Sequence, residues 1–73
     1  MKIGKFLIYV NDELHKTYDG KEVKEFLLDW DGKLSEGKVL ETSEGNMKVV
    51  GTSLLNVKEP EQRIDTEVFL IKL

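Results

Sequence analysis

Cysteine and alanine are absent from this chain of 73 residues, while histidine, proline and arginine each occur once. Without cysteine there is no disulfide, no thiolate nucleophile and no zinc site that needs sulfur. A lone histidine, His15, has no second imidazole with which to share a metal. Long apolar runs are missing too, and nothing approaches the roughly 20 residues that span a bilayer. The longest run, Phe6 to Val10, ends at Asn11-Asp12-Glu13 with no small-residue cleavage site behind it. It is too short for a signal peptide, so a cytoplasmic location is expected. A basic surplus is also lacking: 11 Lys and Arg stand against 14 Asp and Glu, for a net charge of -3.

What is present is the composition of a folded soluble domain, 40% hydrophobic and 34% charged. The length allows one domain, residues 1–73. A chain this short buries only about 60% of the surface it exposes when unfolded, which supports one small core and leaves little room for an enclosed reaction chamber. Self-association is one way to gain further burial.

The almost unbroken apolar, β-rich run from Lys5 to Val10 predicts a strand covered on both faces. Asn11-Asp12 suits a tight turn, and Leu14 to Tyr18 alternates as the second arm of a hairpin. Asp19 with Glu22 three residues later resembles a capping pair, which predicts a helix of about three turns starting near Gly20. Val23, Phe26, Leu27 and Trp30 then fall on one stripe as its core face, and Gly32 would close it. Lys38 to Thr42 and Met47 to Val57 read as a second hairpin around Ser43 to Asn46, where Gly45 or Asn46 can take positive φ. Gly51 marks a bulge or bend in the longer arm. After the charged connection from Lys58 to Asp65, the run Val68 to Ile71 predicts a last strand, a natural neighbour of the first at the centre of one sheet.

The expected fold class is therefore α+β, in the order β-β-α-β-β-β, with one helix packed on a mostly antiparallel four- or five-stranded sheet. With its first and last strands parallel, this order resembles the ubiquitin-like β-grasp arrangement. An SH3-like small barrel with the helix as an insertion is the alternative.

Several stretches imitate chemical motifs. Gly32 to Val39 matches the phosphate-loop spacing G-x-x-x-x-G-K, but Val39 stands where a magnesium-binding Ser or Thr belongs, and the segment follows a helix signal instead of preceding one. Asp29, Asp31 and Glu36 do not make a calcium loop, since the twelfth position from Asp29 is Leu40. His15 reads as a surface strand residue, and no serine is marked as a nucleophile. No catalytic residue, cofactor or metal site is expected.

Two binding classes remain. For nucleic acid, the hairpin region 33–58 offers Lys33, Lys38, Lys48 and Lys58 against Glu36, Glu41 and Glu44, a weak field with no clustered arginines. Tyr9 and Tyr18 are the candidate exposed stacking residues, with Phe6, Phe26, Trp30 and Phe69 assigned to the core. For a protein partner or self-association, the predicted helix would present Glu22, Glu25 and Asp29 opposite its core stripe, beside an outward Leu28. The favoured expectation is a non-enzymatic protein-binding module using that outer face.

Overall fold

The two apolar runs meet as expected: β1 (Lys2–Val10) and β5 (Arg63–Lys72) pair in parallel, with Ile8 beside Val68 and Val10 beside Leu70. The computed structural model describes residues 2–28, 34–58 and 62–73, with the backbone only for 2 and 3. β2 (Glu13–Asp19) folds back on β1 through Asn11 and Asp12, whose φ values of 51° and 67° match the turn that follows the natural twist of a hairpin. β3 (Val39–Thr42) and β4 (Gly45–Val57) form the second hairpin, where Gly45 takes φ 105°. Thr42 Oγ1 ties that turn by accepting from the Glu44 N–H and donating to the Gly45 carbonyl. The strands lie in the order β2-β1-β5-β4-β3, all antiparallel except the central β1·β5 pair.

The helix expected from Gly20 onward is not there, and this corrects the α+β assignment. Among the described residues the segment holds one 3₁₀ turn, Val23–Glu25, and the fold is a curled, mixed, half-barrel sheet of five strands. Both the helix-on-sheet and the barrel-with-helix architectures need an element that the described residues do not contain. Asp19 remains the last residue of β2, paired with Lys5, and the Glu22 side chain makes no cap. A sheet edge then outcompetes the helix for backbone hydrogen bonds. The Leu28 N–H donates to the Glu41 carbonyl and the Ser43 N–H to the Phe26 carbonyl, so Leu27 bridges to Thr42 on the outer side of β3. A short helix is marginal without tertiary support, whereas this arrangement satisfies an open edge and buries the same side chains.

Those side chains are the ones the stripe selected. Val23, Phe26 and Leu27 are fully buried, and Trp30 lies outside the described residues. They fill the trough of the sheet over Ile8, Val68, Leu70, Leu40, Met47 and Val49. Tyr18 packs on Phe26, and His15 from β2 reaches across that ring to Glu44 after β3. The far edges of the sheet thus approach one another around Phe26, which makes the core face concave.

Three bulges accompany the curl, each adding local twist. His15 is the extra residue of β2 between the pairs Ile8–Lys16 and Tyr9–Leu14, and Val50 that of β4 beside Gly51. In β1, Gly4 and Lys5 together oppose Asp65. The buried Asp65 carboxylate accepts from the Lys5 N–H at 2.8 Å and from Arg63 Nε at 3.0 Å. The second hairpin is unequal: β3 pairs only with Gly45–Lys48 of β4, and the rest of β4 runs on beside β5.

Candidate functional site

The residues expected to form an outer helix face do not form one. Glu22 precedes the 3₁₀ turn and Glu25 is its last residue; both are exposed, and Leu28 is 52% exposed just beyond the bridge to β3. Leu28 is outward as expected, but it lies in a turn just after the Leu27 bridge and not on a helix, so the wheel that aligned it with the acids does not apply. Asp29 lies outside the described residues. The first two residues of the phosphate-loop look-alike, Gly32 and Lys33, lie outside them as well; its described part is a turn, Lys38 N–H to the Ser35 carbonyl with Gly37 at φ 87°, that feeds a strand. Among the described residues no three His, Asp or Glu side chains converge as a metal site.

A different surface is assembled by the strands. Strand alternation sends Ile8 and Val68 into the core and their neighbours Tyr9 and Phe69 to the convex side. There the two rings stack, centroids 4.8 Å apart and planes at 20°, as register partners across the central parallel pair. Tyr9 Oη donates to Glu67 Oε2 at 2.9 Å, which fixes the ring. That hydrogen bond, with desolvation and the carboxylate's charge, holds the Tyr9 phenol above its usual pKa. Leu14 faces Tyr9 from β2 and Gly51 faces Phe69 from β4, so the row reads Leu14, Tyr9, Phe69, Gly51 across four strands. Gly51 leaves open space where a side chain would stand.

Apolar neighbours extend the row. Leu14 is 54% exposed, and Val39, Val50 and Ile71 are also exposed. Lys48, Val50 and Ile71 line a shallow groove with Glu36 and Gly37. Charges on this side are mixed in sign, with Lys5 facing Asp19, Arg63 on Asp65, Lys48 facing Ile71, and Glu67 engaged by Tyr9.

The aromatic sorting read from the sequence holds for Phe6, Phe26 and Tyr9 and is corrected at two positions. Tyr9 is outward, but Tyr18 is 8% exposed and belongs to the core, while Phe69 belongs to the surface. The signal was the period of two: in Val68-Phe69-Leu70 one face must receive the middle residue. The chain matches no family model, no curated protein and no solved structure.

Proposed function

We propose that this chain is a non-catalytic protein-binding module whose contact surface is the convex face around Tyr9 and Phe69, acting in the cytoplasm. The observation that supports this reading is a stacked, hydrogen-bonded aromatic pair on the solvent side of the two central strands, flanked by exposed aliphatic residues. Aromatic residues fixed before binding contribute large contact area at little entropic cost, the usual composition of an interface centre. The partner that fits is the weakly charged, apolar surface of another polypeptide, since the face carries little net charge of its own.

Stacked aromatics on a sheet also suit unpaired bases. Phosphate, however, requires clustered cations, and the two lysines here stand apart with Asp19 and Glu67 on the same face. The protein reading is therefore favoured over the nucleic-acid one.

A photo-crosslinking residue at position 14, compared with one at position 28, tests the surface in native host cells. The expected result is a discrete polypeptide adduct from position 14 that is lost with Phe69→Ser, and none from position 28. Adducts that nuclease removes, or adducts from position 28 alone, would refute it.

A further inference from the structure

The outer edge of β4 from Gly51 to Val57 is a seven-residue stretch of strand that, among the described residues, no other strand covers. Which groups point outward follows from strand alternation. Val49 directs its N–H and carbonyl away from β5, to the Lys38 carbonyl at 2.8 Å and the Gly37 N–H at 2.7 Å. After the bulge at Val50, the antiparallel pattern turns Thr52, Leu54 and Asn56 outward in the same way.

Edges are commonly protected by charge, proline, bulges or a cover. The β2 edge carries Glu13, His15, Lys16 and Asp19 with a bulge at His15, and the β3 edge is covered by Phe26 to Leu28. The segment Gly51-Thr52-Ser53-Leu54-Leu55-Asn56-Val57 has no charge and no proline, and Leu54 is 68% exposed at its middle.

We propose that two copies of this chain pair antiparallel along this edge, about a two-fold axis at Leu54, to form one continuous sheet. A second copy fits because the segment is complementary to itself. The axis sets Leu54 opposite its counterpart, Thr52 opposite Asn56 and Ser53 opposite Leu55, so no like charges meet. In that register the outward N–H and carbonyl groups of Thr52, Leu54 and Asn56 all find partners, and the exposed leucines contact each other. The pairing residues Thr52 to Asn56 lie outside the convex row, so this proposal and the partner-binding reading fail independently.

Light scattering and sedimentation equilibrium of the full chain, from micromolar to millimolar, test it. The expected result is a dimer whose dissociation constant rises at least about tenfold with Leu54→Lys, which sets two ammonium groups across the axis, and is unchanged with Leu28→Lys. Hydrogen exchange of the unaltered protein gives an independent reading: the amides of Thr52, Leu54 and Asn56 become protected as concentration rises. A monomer throughout, a dimer indifferent to Leu54→Lys, or amides that exchange fast at the highest concentration would overturn the proposal.

Discussion

Gly4→Ala is the substitution in which the geometry makes its sharpest demand. A Cβ at position 4 would lie 2.0 Å from Asp65 Oδ1, 2.5 Å from the Ile64 carbonyl oxygen and 2.8 Å from its carbon, all inside the 3.0 Å that real Cβ atoms respect. The side-chain clash is relieved only if Asp65 swings out, which strips the acceptor from the Lys5 N–H and from Arg63. A hydrogen bond to a charged group contributes about 1.5–3 kcal/mol. The backbone clash remains, and easing β1 off β5 adds a distortion of about 1–3 kcal/mol. The expected loss is about 3–5 kcal/mol, against a total of roughly 4–11 kcal/mol for a chain of this length. Urea unfolding followed by far-UV circular dichroism would show it as a lower midpoint at unchanged slope. In an Asp65→Ala background the same substitution should cost about 1.5–3 kcal/mol less, because only the backbone contact is left. A loss below about 1 kcal/mol for Gly4→Ala alone would mean that β1 and β5 do not approach as described.

Phe26→Ala should cost about 3–5 kcal/mol by opening a cavity beneath Tyr18 and His15, whereas Leu28→Asp, two residues on and exposed, should stay within about 0.5 kcal/mol; thermal unfolding of the pair would contradict the bridged segment if the order reversed. Spectrophotometric titration of a Tyr18→Phe variant isolates Tyr9, whose midpoint should lie above the ordinary tyrosine value and fall back with Glu67→Gln. Because the folded phenol holds its proton more tightly than the unfolded one, this contribution to stability is present below the unfolded pKa and disappears as pH climbs through the folded one. A Tyr9 midpoint indifferent to Glu67→Gln would show that the convex hydrogen bond is absent.

The strands were legible because their signals are local and redundant. Asn11-Asp12 supplied the positive φ of the first turn, Gly45 that of the second, and the apolar runs at 6–10 and 68–71 identified the central pair. The helix misled because Val23, Phe26 and Leu27 satisfy a helical spacing equally well when a single turn leads into an edge bridge. Burial was read correctly and backbone state was not, since the deciding hydrogen bonds, to Glu41 and Ser43, come from residues some fifteen positions away. Of the surface around Tyr9 and Phe69 only Tyr9 was anticipated, because the stack exists only once β1 and β5, about sixty residues apart, come into register.

That separation also dictates when the protein can fold during synthesis. During synthesis β1 finds its neighbour on one side at once in β2, but on the other side only after β5, which starts at Arg63, has emerged as well. Until then Phe6, Ile8 and Val10 present a bare apolar row to the cell. Contacts this distant in sequence close slowly, so the nascent hairpin is the stage at which a chaperone has most to protect.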